Sequence, residues 1–308
     1  MILAYECMQK EETMKHKNTL LYQTITPLHM GADNVLGLVD LPIQREKHTN
    51  LPKMEASGIK GVYRSKFCEE DQNITCEQIQ KWFGAASENN DDSEMGNAGN
   101  IIFYDARILF FPVVSSSNLF VWITCPFVLN RFKEETEYLT YDFHKLRFSK
   151  DGYTIYSLDK AKQDNKTMNL ANYTYTIKNL EVNPINALFS HLSQPLKDKL
   201  KGKIYIVDDA TFSYFCEMNT EIHTRIRIGE NGVVEKGALF TEEYIPDQCF
   251  FYQNIDFMKA DEVGEDAFFK AIEDASYMQF GGNASLGKGI TKVYVMDDVC
   301  LKQAGDKL

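Results

Sequence analysis

The sequence predicts an α+β fold, a ferredoxin-like antiparallel sheet of the split βαβ type carrying insertions. Three observations lead there. Helical and strand-like segments alternate without the strand–helix–strand regularity of a doubly wound parallel sheet. No self-similarity recurs at about 20–50 residues, which sets aside repeat architectures. A strand leading to a helix and then a hairpin occurs near the start, and the same rhythm returns late in the chain.

The elements follow in order. Residues 1–18 form an extension, polar after Tyr5, and 19–308 read as a single domain. Leu20–Thr26 alternates as a strand and Pro27 ends it. Asp33–Lys53 holds two prolines and few large apolar residues after Leu41, which predicts a protruding hairpin or loop outside the core. Ser57 is placed to N-cap a helix from Ile59 to about Cys68. A second short helix covers 75–84, and Ala85–Asn100, acidic and rich in Gly, Asn and Ser, is a loop. Ile101–Val114 and Leu119–Leu129 are the strongest strands, joined as a hairpin through Ser115-Ser116-Ser117-Asn118, with a helix continuing over Val128–Tyr138. Residues 142–176 are rich in Tyr, Thr, Lys and Asp with weak periodicity, so 142–180 reads as an inserted excursion or small hairpin. Pro184–Leu200 is a helix with Leu188, Leu192 and Leu196 on one face, followed by a strand over Lys203–Asp208 and a helix from Thr211 capped by Asp209. Ile222–Ile228 alternates cleanly before a turn at Gly229–Gly232, and Ala238–Pro246 and Cys249–Phe257 form a pair of strands. Glu265–Tyr277 is a helix with Phe268, Phe269 and Ile272 inward, Gly281–Gly289 a loop, and Ile290–Met296 a closing strand.

At 308 residues, 44% apolar and 25% charged, the chain can bury a core without disulfides or a metal. The net charge of −11 argues against a nonspecific nucleic-acid binder unless cations are concentrated in one groove. Seven cysteines, an odd number without a C-x-x-C pair, indicate neither a disulfide framework nor a cysteine zinc site, which fits a reducing cytoplasm. Met1–Lys17 does not read as a signal peptide. The most apolar region, Ile108–Leu129, is interrupted by Pro112, the serine run and Pro126, so it does not read as a membrane span.

Thr24–Arg64 concentrates the local chemistry. Asp40 sits between Val39 and Leu41 ahead of Pro42, either as a turn aspartate or as a lone carboxylate able to take Mg²⁺ through one oxygen while phosphates and water complete the shell. Gln44, Arg45, Lys47 and His48 form a charged run, either a solvated face or a phosphate grip. Ser57-Gly58-Ile59-Lys60-Gly61 with Arg64 is a helix N-terminus with two cations four residues apart, suited to phosphate or simply a capped surface helix. Gly281-Gly282-Asn283-Ala284-Ser285-Leu286-Gly287-Lys288-Gly289 is not a Walker loop, because Gly289 stands where the Mg²⁺-binding hydroxyl belongs. It is either a plain turn or a nest of N–H groups for a phosphate backbone.

The phrases TPLHMGAD, GLVDLPIQREKHTNLP, ASGIKGVYRS, WFG, YDARILFFPV, WITCP, the EEY of FTEEYIP and QFGGNASLGKG together resemble the backbone subunit of the type III-B (Cmr) CRISPR effector complex, within the RAMP (repeat-associated mysterious protein) superfamily. The resemblance runs from about Thr19 to Val295; residues 1–18 and parts of 142–180 depart from it. It implies an RRM-like palm with a protruding thumb, about 33–56 here, with Val35, Leu36 and Leu38 at the tip as wedge candidates. It implies copies stacked in a filament along guide CRISPR RNA, beside other subunits of the effector, cutting complementary target RNA at regular intervals as a metal-dependent endoribonuclease using Mg²⁺ or Mn²⁺. The residues it implies at the cut are Asp40, also the metal ligand, with His29, Glu242 and Tyr244. Those for RNA are Gln44, Arg45, Lys47, His48, Ser57, Lys60, Arg64, Gly281, Gly282 and Lys288. The alternative is an architectural guide-RNA-binding subunit that does not cut.

Overall fold

The computed structural model of the chain describes residues 18–32, 39–70, 74–84, 98–158, 166–180, 184–259 and 262–296. The N-terminal extension up to residue 17, most of the 85–100 loop and the wedge candidates Val35, Leu36 and Leu38 lie outside the described residues.

β1 (Asn18–Thr24) is buried from Thr19 to Thr24. The segment that follows departs from expectation. Where it is described, 39–53 lies against the body of the protein: Ile43 and Leu51 are core residues, and the buried Glu46 accepts an ion pair from Arg131 Nη1 at 2.7 Å. Ile43, Glu46, Leu51 and Pro52 turn inward and bury this stretch without a high apolar count. It leads through β2 (Lys53–Met54) into α1 (Ala56–Glu70), which starts earlier than predicted. Ser57 is therefore inside the first turn and is not the cap; Asp105 takes that task, its Oδ1 accepting from Ala56 N at 2.9 Å. α2 (Cys76–Phe83) opens with a capping box, Thr75 accepting from Gln78 N and Gln78 answering the Thr75 N–H.

β3 (Ile101–Phe103) and β4 (Ala106–Val114) lead into β5 (Phe120–Thr124) across the serine hairpin. β5 is shorter than predicted because Pro126, which has no N–H to give a sheet, begins α3 (Pro126–Glu135). The described part of 142–180 is integral to the sheet, unlike the predicted excursion: β6 (Thr154–Ser157), β7 (Thr167–Leu170) and β8 (Tyr173–Asn179) extend it and bury Ile155, Met168, Leu170, Tyr175 and Ile177. Weak periodicity concealed strands whose tyrosines and threonines occupy both faces. The helix expected over Pro184–Leu200 is two, α4 (Asn186–Ser190) and α5 (Gln194–Leu200), because Pro195 restarts the helix; Leu188, Leu192 and Leu196 are buried all the same. After β9 (Ile204–Ile206), α6 (Asp209–Met218) is capped by Asp208, one residue before the predicted cap, which accepts from Thr211 N.

β10 (Glu221–Ile228) and β11 (Val234–Tyr244) pair with each other as a separate two-stranded ribbon. This replaces the predicted partnership of 238–246 with 249–257; β12 (Phe250–Phe257) pairs with β1, β3 and β4. α7 (Glu262–Asp274), β13 (Tyr277–Gln279) and β14 (Ile290–Val295) complete the chain.

In the main sheet the order β14-β1-β12-β4 is antiparallel throughout, with β1 central, Leu20 facing both Val295 and Gln253. β4 continues through β5 to β9-β6-β8-β7. An aromatic cluster made of Tyr63 and Phe67 of α1, Trp82 and Phe83 of α2, Phe103 of β3 and Phe268 of α7 joins the helices, Phe268 lying 5.4 Å from Trp82 between ring centroids. Tyr22 of β1 is anchored beneath by its hydroxyl, 2.6 Å from Gln253 Oε1 and 2.9 Å from Tyr63. The main sheet thus leads from β1 into Pro27–Gly31, and the separate ribbon ends beside it at Thr241–Tyr244, Leu28 bridging to Ile245. No helix among the described residues is long and apolar enough to cross a membrane.

Candidate functional site

The site is built on the end of β11. Residues Thr241 to Tyr244 present alternate side chains to opposite faces of the ribbon, as an extended strand must. Leu41 adds a short parallel bridge to them, with Leu41 N donating to Thr241 O and Glu243 N donating to Leu41 O, both at 3.0 Å.

That bridge fixes Asp40. Its Oδ2 accepts from Thr241 N at 2.8 Å and from Thr241 Oγ1 at 2.9 Å, while its own N–H donates to the threonine oxygen at 3.0 Å. The side chain is exposed. The backbone N–H of Thr241, then its hydroxyl, hold the Asp40 carboxyl below its ordinary value, so the group is an anion at neutral pH. The strand end thus holds Asp40 in one orientation.

His29 is buried, and its Nδ1 lies 2.7 Å from the carbonyl oxygen of Glu243. A carbonyl only accepts, so Nδ1 carries a proton and the bond fixes the orientation of the ring. The glycine loop packs on the backbone of His29: Gly282 N donates to His29 O at 2.9 Å. At Gly281, with φ +71°, a Cβ would stand 2.2 Å from that same oxygen. Gly289, with φ +77°, approaches Phe280 O equally closely and donates its N–H to Pro27 O. The glycines are required by this close approach to the His29 segment. The N–H groups of Gly282, Gly287, Lys288 and Gly289 all donate within the protein, two of them to the His29 and Pro27 carbonyls of the segment beneath.

Glu242 and Tyr244 do share a face, as their spacing predicted. The Tyr244 hydroxyl donates to Glu242 Oε2 at 2.7 Å and accepts from Arg225 Nη2 at 2.6 Å and Asn283 Nδ2 at 2.9 Å. A phenol has one proton and two lone pairs, so this hydroxyl is saturated. Arg225 also pairs with Glu242. Burial raises the Glu242 carboxyl, but hydrogen bonds from Tyr244 and Asn283 and the Arg225 charge outweigh it, and its pKa lies below the ordinary glutamate value. Burial, with the bond to Glu242, pushes the Tyr244 phenol up. Both join the ribbon to the glycine loop in one hydrogen-bonded network. Lys288 Nζ lies 4.9 Å over the Tyr244 ring, and the His29 and His223 rings flank that ring at 5.5 and 4.8 Å.

Of the charged run, Arg45 and Gln44 point inward. Arg45 donates to Glu243 Oε1 at 2.6 Å and to the carbonyls of Asn50 and Cys216. Gln44 donates to Gly31 O and accepts from Glu55 N. Lys47 and His48 lie exposed at a turn that Asn50, at φ 59°, closes. On α1, Ser57 is exposed and Lys60 and Arg64 are half-buried. The first N–H of that helix already meets the Asp105 carboxylate, which reduces its appeal to a phosphate. No three His, Cys, Asp or Glu side chains gather for an all-protein metal site among the described residues.

Sequence reasoning missed Thr241, Glu243, Arg225 and Asn283. The alternation of Ile222–Ile228 held the signal for Arg225, since it places His223, Arg225 and Arg227 on the face opposite the isoleucines. The register His223↔Glu242 then sets that face over the EEY phrase.

The RAMP superfamily profile matches residues 21–292. The chain is 35% identical over 278 residues to the CRISPR system Cmr endoribonuclease Cmr4 of Pyrococcus furiosus, covering 88% of this chain and 92% of that protein. The crystal structure of oligomeric Cmr4 from Pyrococcus furiosus is similar with a TM-score of 0.66 at 28% identity, covering 91% of this chain and 98% of that one. A chain of the type III-B Cmr-beta complex bound to cognate target RNA, seen by cryo-EM, reaches a TM-score of 0.69 at 22% identity over 90% of this chain and 96% of that one, a likeness of fold.

Proposed function

The chain belongs to the RAMP superfamily, and from that premise we propose that it is a guide-RNA-binding filament subunit of a type III-B CRISPR effector that cuts complementary target RNA at regular intervals. The observation that carries the reading is Asp40: an exposed, ionised carboxylate pinned to Thr241, on the same strand end whose Glu243 carbonyl holds His29. The order β14-β1-β12-β4, with α1 after β1 and α7 after β12, supports a ferredoxin-like palm. The separate ribbon β10–β11 carries exposed Ile222, Ile226, Ile228 and Leu239, apolar surface suited to wedging between guide and target.

Cleavage by an adjacent ribose 2′-hydroxyl requires loss of its proton, in-line approach to phosphorus, and stabilisation of the added negative charge. His29 offers Nε2 for the proton, since Glu243 fixes its Nδ1–H. Asp40, with its lowered pKa, is a weak base but a permanent charge, and one of its oxygens is not held by Thr241. That oxygen fits a Mg²⁺ or Mn²⁺ completed by RNA phosphates and water, the usual way such ions are held when a protein supplies one carboxylate. An ion held there by Asp40 would supply charge neutralisation at a phosphate. Lys288 and Arg225 add fixed positive charge, and Glu242 and Tyr244 are positioning residues. Lys47, His48, Ser57, Lys60 and Arg64 supply backbone contacts along the guide in a cytoplasmic ribonucleoprotein. The test is cleavage of guide-complementary RNA by the assembled complex, wild type against Asp40→Ala, in Mg²⁺ or EDTA. Evenly spaced products that vanish in the variant and in EDTA while target binding survives are expected. A wild type that binds target without cutting it would make the chain a scaffold.

A further inference from the structure

Away from the Asp40–Tyr244 cluster, and sharing no residue with it, four tyrosines form an open recess of about 260 Å³. Tyr153, Tyr173 and Tyr175 come from the β6–β8 region, and Tyr214 from α6; Asp151, Gly152, Ala210 and Thr211 complete the lining. Tyr153 and Tyr175 pair with ring centroids 5.9 Å apart, Tyr173 and Tyr214 with centroids 6.0 Å apart at 83°. The hydroxyls of Tyr173 and Tyr214 meet at 3.2 Å. Tyr175 is buried at the back, whereas Tyr153, Tyr173 and Tyr214 keep 45%, 38% and 42% of their surface exposed, open to a visitor. Asp208 stands behind Gly152, its Oδ2 held by Thr211 Oγ1 at 2.6 Å.

We propose that this tyrosine box binds an organic cation, a guanidinium or alkylammonium group. Ring faces are electron-rich and attract cations, and several rings around one cavity are the recognised way to hold an ammonium. The charge around the recess selects the class. Among the described residues no Lys, Arg or His lines it, while the Asp151 carboxylate does, so a nucleotide phosphate would be repelled while a cation gains. Gly152, at φ +76°, turns the chain so that Asp151 reaches the rim without a side chain filling the opening. The inference is independent of RNA cleavage and stands whether or not Asp40 cuts.

The probes are tetramethylammonium, N-acetyl-arginine amide and spermidine, titrated calorimetrically into the full chain, with adenosine monophosphate as comparator. Tyr173→Ala is expected to weaken cation binding about threefold to thirtyfold, the range for one ring face. Tyr173→Phe, which keeps the face and loses only the hydroxyl, is expected to bind nearly as wild type, and Asp151→Asn to bind more weakly. Both tyrosine variants alter an exposed side chain, and unchanged circular dichroism verifies folding. Self-association by sedimentation separates two sources of the same chemistry: weakening in Tyr173→Ala assigns the cation to a side chain of a second copy, and unchanged association with spermidine binding intact in the wild type assigns a free polyamine. Absence of cation binding together with unchanged self-association overturns the proposal, as does adenosine monophosphate binding that Tyr173→Ala abolishes.

Discussion

Arg45 separates two readings of one residue. In the sequence it is a phosphate ligand in a basic run; in the structure it is a strut between 39–53, the end of β11 and the end of α6. Its guanidinium donates to Glu243 Oε1 at 2.6 Å, to Cys216 O at 3.2 and 3.3 Å, and to Asn50 O at 2.9 Å, with side-chain exposures of 15% for Arg45 and 7% for Glu243. Truncation to alanine leaves the Glu243 carboxylate without a countercharge. Removing one partner of a buried pair costs about 3–5 kcal/mol. Glu243 keeps the Ile43 N–H at 3.1 Å and the Thr220 hydroxyl at 2.8 Å, which places the loss at the lower end, about 3 kcal/mol. At roughly 2 °C per kcal/mol for a chain of this size, Arg45→Ala should melt about 6 °C lower. Arg45→Met combined with Glu243→Gln removes both charges while retaining an acceptor for Ile43 and Thr220, and should recover more than half of that loss. The assays are thermal melting by circular dichroism and a salt titration of guide binding. A phosphate contact would instead lower the salt slope by about 0.7–1. Melting within about 1 °C of wild type, with such a change in slope, would refute the strut.

Three further outcomes follow from the site. Thr241→Val removes the hydroxyl from Asp40 and should raise the Asp40 carboxyl toward its ordinary 3.8 while reducing cleavage in the assembled complex; carbon-13 carboxyl titration reads the first and product gels the second. Glu242 has a folded pKa below its ordinary 4.5, so its contribution to stability is full above that value and is lost as pH falls through the depressed folded pKa. Denaturation midpoints of Glu242→Gln should therefore lie below wild type at neutral pH and converge with it under acid, and a gap that persists unchanged at low pH would contradict this sign. Gly281→Ala meets His29 O and a positive φ together, whereas Gly287→Ala meets open space at φ +70° and bears only the left-handed strain of about 1–2 kcal/mol. The first should lose distinctly more stability than the second and should also lose cleavage, by displacing His29.

What was legible in the sequence was whatever depends on local pattern. β1, the serine hairpin and the strand from Ile222 to Ile228 declare themselves through alternation and turn residues. The burial of Leu188, Leu192 and Leu196 follows from spacing even though Pro195 divides their helix. Strand partnership was not legible. Nothing in Ala238–Pro246 says that it turns back on β10 while the next strand crosses to β1, because register is fixed by contacts more than two hundred residues apart, such as Asn18 with Ile255. The same holds for the site. Residue type and family motif marked Asp40, His29, Glu242 and Tyr244, but inward charges look like outward ones in a sequence, and Arg45 reads as a solvated or phosphate-gripping residue for that reason.

The site also shows how a carboxylate on a loop can be held in one orientation. A loop aspartate has many orientations, and a cut at a fixed phosphate tolerates few. Here four consecutive residues of one strand end each fix a different piece of the surroundings. Thr241 clamps Asp40, Glu242 takes Arg225 and Asn283, and Glu243 takes Arg45 through its carboxylate and His29 through its carbonyl. Tyr244 closes the network under Lys288. The period-two alternation of a strand separates these duties onto two faces, so Glu243 braces the protein side while Glu242 and Tyr244 face the glycine loop. An insertion or deletion of one residue within 241–244 would exchange the faces, placing the Glu243 countercharge away from Arg45 and the Tyr244 hydroxyl away from Arg225. Substitutions at single positions should therefore be graded in effect, whereas a one-residue shift should abolish the assembly of the site as a whole.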